Sequence, residues 1–227
     1  MELILYSALF ALLSLDKKHA FQLAISQPII TSTFVGIVLG SIVPAMYFGL
    51  IIQLIWLGNL PFGASRTPDG EIASIIGCWL FVEFYDLYQL YGQFLLLSVF
   101  LYIVIISFIA SKAESYLRYV NIDLFDYAFS SVDDSQNPSI GKIIFATLGL
   151  RFLVNWVILI VFIKSGQIFL NFLNTIIPQY LSAIWQYTEI AIWAAGIGSV
   201  ISVYKEVKLK RIIVVISILT LVTIKII

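Results

Sequence analysis

Long apolar runs separated by short polar stretches divide the chain into a series of predicted membrane helices. The first run, MELILYSALFALLSL, ends at the polar loop 16–19. The next, residues 21–65, contains no Asp, Glu, Lys or Arg, yet it holds five glycines and three prolines. A soluble domain needs a solvated face, which so long a neutral run cannot provide. The pattern therefore predicts that this run lies in a lipid bilayer.

The neutral run is broken in its interior. It splits near Gly40 into two predicted segments, 21–40 and 45–60, and a turn-rich polar hairpin, PFGASRTPDGE, follows at 61–71. Residues 72–85 are apolar but too few to span, so we expect them to form the returning arm of a re-entrant loop. Broken helices with buried polar groups are tolerated at membrane depth only against protein or a wet cavity. Such segments hold the substrate in transporters, and this region is the best candidate site.

The second half of the chain alternates apolar and polar segments. Residues 87–111 carry no charge and are long enough to span, whereas 112–142 are water-like and predict a polar loop with an amphipathic helix at about 113–130. Further apolar segments are predicted at 143–163, 166–187, 189–204 and 212–227, with Pro178 interrupting the second of them.

Arg151 and Asn155 interrupt the predicted span at 143–163. They are four positions apart and therefore share one helix face. A charged side chain at such depth usually faces the interior of the helix bundle or a protein partner. The alternative is that Arg151 lies near the interface and extends to the headgroups.

Composition supports an integral membrane protein. Hydrophobic residues make up 61% of the chain and charged residues 11%, and the mean hydropathy is +1.01. The fold class predicted is all-α and polytopic, with broken helices, a re-entrant hairpin and about six to eight membrane segments. We expect a single integral membrane domain, 1–227, with a motif-bearing segment at 21–85. The net charge of zero implies no nucleic-acid partner.

The residues that usually carry catalysis are nearly missing. Cys78 is the single cysteine, which excludes an internal disulfide framework and a thiolate metal cluster. His19 is the single histidine, and no common catalytic or nucleotide-binding motif occurs. We therefore predict no catalytic residue, no metal and no cofactor. A phosphoryl relay that needs a nucleophilic His or Cys would have to come from another polypeptide.

An ordered set of short motifs covers residues 21 to about 77. A Pro-containing segment leads to a G-x-x-x-G at Gly36 and Gly40; Leu57-Gly58, Gly63-Ala64, Pro68-Asp69 and the small residues Ala73-Ser74 follow in order. G-x-x-x-G alone is weak, because small residues pack membrane helices in general. The whole set resembles the IIC membrane component of the mannose/sorbose-type sugar phosphotransferase system.

The resemblance implies a function. It implies a multi-pass, sugar-translocating subunit of a prokaryotic cell membrane, not an enzyme, that works with a IID membrane subunit. Soluble IIA and IIB proteins would carry the phosphoryl relay. It also implies an elevator-like movement and a trimer of IIC–IID pairs.

The same resemblance names the candidate site. Sugar would contact Gln53, Asn59, Thr67 and Asp69, and the unwound backbone would be shaped by Gly58, Gly63 and Pro68. The chain departs from the family where Gln53 replaces the usual Glu and where Pro61 replaces a frequent Asn. An amide binds sugar hydroxyls without the charge of a carboxylate. Gln53 could also merely bond a neighbouring backbone group. The alternative function is therefore a membrane sensor or scaffold descended from such a subunit that does not transport.

Overall fold

The structure is a computed structural model that describes residues 2–16, 23–57, 68–86, 92–133, 140–176, 187–203 and 214–215. The elements in these ranges are helices: α1 (Glu2–Leu13), α2 (Pro28–Val38), α3 (Ile42–Trp56), α4 (Gly70–Glu83), α5 (Gly92–Asp133), α6 (Ile140–Ile176) and α7 (Thr188–Val203). The all-α prediction is confirmed.

Helices α2 and α3 form a tight antiparallel pair. The chain reverses at Leu39–Ser41, where Gly40 has a φ of +74°, a conformation that suits glycine because it lacks a Cβ. The predicted split near Gly40 is confirmed, whereas Pro44 lies in the first turn of α3 and does not break it. The two helices have 11 and 15 residues, so each is shorter than a bilayer is thick.

Close backbone approach holds this pair together. A Cβ added to Gly36 would lie 2.6 Å from the Cβ of Ala45, and one added to Gly49 would lie 2.6 Å from the Cβ of Ser32. Small residues therefore line the contact from one end to the other, as is common where membrane helices pack closely.

Helix α4 is the buried centre of the fold. Thirteen of its 14 residues are buried, and it packs against α2, α3, α5 and α6. The predicted short arm at 72–85 corresponds to this helix. Residues 61–67 of the predicted hairpin that precedes this helix lie outside the part of the chain that the structure describes.

The second half of the chain contains two long helices where the sequence predicted shorter segments and a loop. Helix α5 continues unbroken from Gly92 to Asp133, so the predicted polar loop beginning at 112 is helical as far as 133. Helix α6 runs from Ile140 to Ile176 and joins the two segments predicted at 143–163 and 166–187. The parts Gln93–Asp126 and Gly141–Ile176 are long and apolar enough to cross a membrane.

A close helix contact accounts for the glycine at position 166 of α6. A Cβ at Gly166 would lie 2.3 Å from Cδ1 of Leu80 and 3.0 Å from Cε1 of Tyr102. The glycine therefore lets α6 pass close to α4 and α5 without interrupting its hydrogen bonds. Glycine is tolerated inside a helix when packing of this kind compensates for its lower propensity.

The order of helix ends defines two ends of the bundle. At one, called here the polar end, α2 begins, α3 ends and α4 begins. At the other, called here the turn end, α2 reverses into α3 and α4 ends. The predicted site residues that the structure describes, Gln53, Pro68 and Asp69, belong to the polar end.

Candidate functional site

Gln53 joins the start of α2 to the last turn of α3. Its Nε2 donates a hydrogen bond of 2.5 Å to Oε1 of Gln27, and its Oε1 accepts a long bond of 3.5 Å from the backbone N–H of Ile29. The first N–H groups of a helix have no partner within the helix, and the Gln27 side chain does not cap α2. Gln53 therefore supplies a cap for α2 from another helix.

The polar contacts continue from α2 into α4. The hydroxyl of Thr31 lies 3.2 Å from the backbone O of Gln27 and 3.4 Å from the hydroxyl of Ser74. Ser74 in turn donates to the backbone O of Glu71 at 2.7 Å. Thr31, Ser74 and Glu71 are all buried. A connected set of polar groups thus runs through an otherwise apolar body.

Asp69 is the N-cap of α4. Its Oδ1 accepts hydrogen bonds from the backbone N–H groups of Glu71, at 3.2 Å, and Ile72, at 3.4 Å. Its own N–H donates to the backbone O of Ser107 on α5 at 3.0 Å. Only 7% of Asp69 is exposed. A carboxylate here also suits the positive end of the helix dipole.

A tight contact brings the Gln53 helix against the start of α4. A Cβ at Gly70 would lie 2.5 Å from Cγ and Cδ1 of Trp56, so glycine is required for the indole to lie over the first turn of α4. Gln53 precedes Trp56 by one turn, and Asp69 precedes Gly70. The structure therefore places these two predicted residues at the same end of the bundle.

The remaining predicted residues divide into two groups. Pro68 is described and directly precedes the Asp69 cap. Asn59, Thr67, Gly58 and Gly63 lie outside the described residues, so their predicted roles stay predictions.

Sequence reasoning missed three residues of this network. Gln27, Thr31 and Ser74 connect Gln53 to α4, but none of them was predicted. The signal for Gln27 is its place directly before Pro28, because proline favours the first position of a helix and marks its start. Thr31 follows one turn later on the same helix.

The loop before α2 is held by a buried carboxylate. Asp16 is 7% exposed, and its two oxygens accept hydrogen bonds from Leu23 N at 2.9 Å and Ile25 N at 2.8 Å. Between these donors, Ala24 adopts a φ of +63°. The residue read from the sequence as part of a polar loop is therefore a buried anchor for the start of α2.

Arg151 and Asn155 find their partners inside this chain. Arg151 forms an ion pair with Glu114 on α5, and Asn155 donates a 2.8 Å hydrogen bond to the hydroxyl of Ser14. Both residues are about 95% buried, with 5% and 4% exposed. The interior position predicted for them is correct, and the reading that places Arg151 at the headgroups is wrong.

Comparisons with known proteins agree on a family and a fold. The family described as PTS system sorbose-specific IIC component matches residues 1–225. A PTS system sorbose-specific EIIC component of Klebsiella pneumoniae is 36% identical over 56 residues, which cover 25% of this chain and 21% of that relative. The match thus spans about a fifth of the relative's length. A solved structure described as a membrane protein superposes with a TM-score of 0.73 over 94% of this chain and 83% of the other, at 20% identity, which shows a shared fold.

Proposed function

Because the chain belongs to the sorbose-specific IIC family of the sugar phosphotransferase system, we propose that it translocates sugar across a prokaryotic cell membrane. Family membership confirms the resemblance read from the motifs, and it makes the chain a membrane component of a sugar transport system. The proposal has three further parts. The chain still transports, it works with particular partner proteins, and particular residues bind the sugar.

The polar network at the start of α2 and α4 supports transport. It contains Gln27, Gln53, Thr31, Ser74 and the carboxylate of Asp69, and it lies where the short helices α2 and α4 begin and α3 ends. Transporters bind substrate at such interrupted helices, where helix ends and polar side chains meet. Thr31, Ser74 and Asp69 are buried, and a purely structural body would gain little from such groups, because each buried polar group must be satisfied.

We assign the sugar to Gln53 and Asp69, together with Asn59 and Thr67 from the intervening segment. Gln53 offers a donor and an acceptor to neutral hydroxyls, and Asp69 offers charge-assisted acceptance. Gly58, Gly63 and Pro68 would shape the backbone around the sugar.

The proposed partners are those that the family resemblance implies, and the chemistry that this chain lacks agrees with them. Cys78 is fully buried, and His19 is the single histidine, so the phosphoryl relay would belong to separate IIA and IIB proteins. A IID membrane subunit would complete the permease, in a trimer of IIC–IID pairs that moves the sugar by an elevator-like motion.

One observation favours the alternative, a scaffold or sensor that does not transport. Both polar atoms of the Gln53 amide already have partners within the protein, namely Gln27 and the N–H of Ile29. In this alternative, the role of Gln53 is to cap α2, and it binds no sugar. A sugar would have to displace or share these bonds.

The test is binding and uptake by the assembled complex. The full chain is co-expressed with a IID protein and its IIB protein, purified, and titrated with sorbose, mannose and fructose by calorimetry. Transport predicts saturable binding of one of these sugars, and uptake into vesicles that depends on phosphorylated IIB. A monodisperse, folded complex with neither binding nor uptake would favour the scaffold.

A further inference from the structure

A cavity of about 360 Å³ lies near the turn end of the bundle, between α3, α4, α5 and α7. Its wall includes Pro44, Tyr47, Phe81, Tyr85, Gln93 and Glu189. The volume falls within the range of small-molecule sites, which are mostly apolar with a few converging polar groups.

The polar groups of the cavity are ordered by one another. The hydroxyl of Tyr47 donates a hydrogen bond to Oε1 of Glu189, and Nε1 of Trp193 lies 3.4 Å from the same hydroxyl. The Gln93 amide stands on the first turn of α5. Together they place a carboxylate, a phenol and an amide around one space.

Aromatic rings form the apolar part of the wall. The ring centroids of Tyr47 and Phe81 are 6.5 Å apart, and those of Phe81 and Tyr85 are 5.5 Å apart with an edge-on geometry. Phe81 also stacks on Phe48 at 5.1 Å, which fixes its position. The cavity thus combines preformed aromatic surfaces with oriented hydrogen-bonding groups.

This cavity is separate from the Gln53 site. Tyr47 and Gln53 lie on the same helix, six positions apart, which is a rise of about 9 Å. Gln53 contacts α2, whereas Tyr47 contacts Glu189 and Trp193 on α7. Helix α3 therefore stands between the two sites.

We propose that this cavity is a second sugar-binding site, on the other side of α3 from Gln53. The proposal rests on the proposed transport function. The apolar face of a pyranose would lie on the rings of Phe81 and Tyr85, and its hydroxyls would bond the Glu189 carboxylate and the Gln93 amide. The competing chemistry is a quaternary ammonium group, which aromatic rings and a carboxylate also attract. The amide favours the sugar, because its N–H₂ donor finds no acceptor on a quaternary ammonium.

The experiment counts sites and assigns each to its end of the bundle. The full chain is reconstituted in nanodiscs together with its IID protein, and the binding of labelled sorbose, mannose and fructose is measured by equilibrium dialysis. In parallel, tryptophan fluorescence follows Trp193, whose signal is identified by its loss in Trp193→Phe. The variants are Gln53→Leu for the polar end, and Glu189→Gln and Gln93→Leu for the cavity. Gln93→Leu leaves the bond between Tyr47 and Glu189 intact, and Glu83→Gln is a matched carboxylate control outside the cavity.

The proposal predicts two bound sugars per chain and a Trp193 response that survives Gln53→Leu. Gln93→Leu should weaken the cavity site about ten- to a hundredfold, since it removes one hydrogen bond to the ligand. Glu189→Gln should also weaken it, since it keeps an acceptor but loses the charge that strengthens the bond, whereas Glu83→Gln should leave the affinity unchanged. One bound sugar, lost in Gln53→Leu together with the Trp193 response, would overturn the second site and leave the transport function standing. No sugar bound by any form would overturn both. A Trp193 response to choline but to no sugar would overturn the second site in favour of a cation.

Discussion

At the scale of single residues, Gln53 has two candidate roles that the structure makes separable. It caps the start of α2 and bonds Gln27, and it is the residue that replaces the usual acid of the family. Both roles use the same two amide atoms. A change that removes the amide must therefore affect stability, and its effect on sugar affinity has to be measured separately.

We expect Gln53→Leu to destabilise the fold by about 1–3 kcal/mol, because Gln27 and the N–H of Ile29 lose their partner. If Gln53 also binds sugar, affinity should fall about ten- to a hundredfold. Gln53→Glu should keep the cap, since Gln27 can turn its amide to donate and a carboxylate suits a helix N-terminus. Calorimetry and thermal unfolding of both variants separate the roles. Unchanged affinity in folded Gln53→Leu would remove Gln53 from the site.

Two substitutions of Asp69 separate its contribution to stability from its contribution to sugar affinity more clearly than those of Gln53. Asp69→Ala should cost about 0.5–2 kcal/mol, because α4 loses its N-cap. Asp69→Asn should keep most of that stability, since Asn caps helices as well as Asp does. A sugar that relies on the charge should then bind Asp69→Asn more weakly at nearly unchanged melting temperature. Equal affinity in Asp69→Asn and the native chain would leave Asp69 with the cap alone.

At the scale of elements, the α2–α3 pair depends on the absence of side chains at its contact. The Cβ of an alanine at Gly36 would approach that of Ala45 to 2.6 Å, which real contacts do not allow. Gly149 on α6 is the matched control, because a Cβ there meets nothing within 4 Å.

We expect Gly36→Ala to destabilise the protein by about 1–3 kcal/mol through overpacking, and Gly149→Ala to stabilise it by up to about 1 kcal/mol through helix propensity. Thermal unfolding in one detergent measures both. A neutral Gly36→Ala would show that the pair separates at little cost, contrary to the close contact described.

The sequence predicted the short helices better than the long ones. The reversal near Gly40 follows from a glycine between two apolar runs, and the arm near 72–85 from its length. The continuity of α5 and α6 could not be seen, because polar residues and a glycine resemble a loop unless their tertiary partners are known. Glu114 is buried against Arg151, and Gly166 is packed against Leu80.

The candidate site was predicted in part for the same reason. Asp69 belongs to a quoted motif, and Gln53 was indicated as the position that replaces the usual Glu of the family. Ser74 was read only as a small residue and Thr31 not at all, because their polarity matters only where α2 packs on α4, with 3.4 Å between the two hydroxyls. Contacts between distant segments are not visible in the local pattern.

At the scale of the whole molecule, a buried ion pair joins the two long helices. Glu114 on α5 meets Arg151 on α6, with side chains 8% and 6% exposed, and the exposed Arg118 approaches the same carboxylate at 3.5 Å. Asn155, on the same face as Arg151, reaches Ser14. The sequence left open whether this polar face needs another protein, and here Ser14, directly after α1, and Glu114 on α5 of the same chain provide its partners.

We expect Glu114→Leu to cost about 3–5 kcal/mol, because it leaves the Arg151 charge buried without its carboxylate. Arg151→Met should cost less, because Arg118 still approaches the Glu114 carboxylate at 3.5 Å. The double variant should be more stable than either single variant, since it buries no unpaired charge at that contact. Denaturant unfolding of the four forms, purified without any other protein, gives the coupling free energy directly. Costs that simply add would mean that the two charges act independently and that the ion pair does not join α5 to α6. A native chain that unfolds during purification alone would show that the body needs a partner subunit in spite of its internal ion pair.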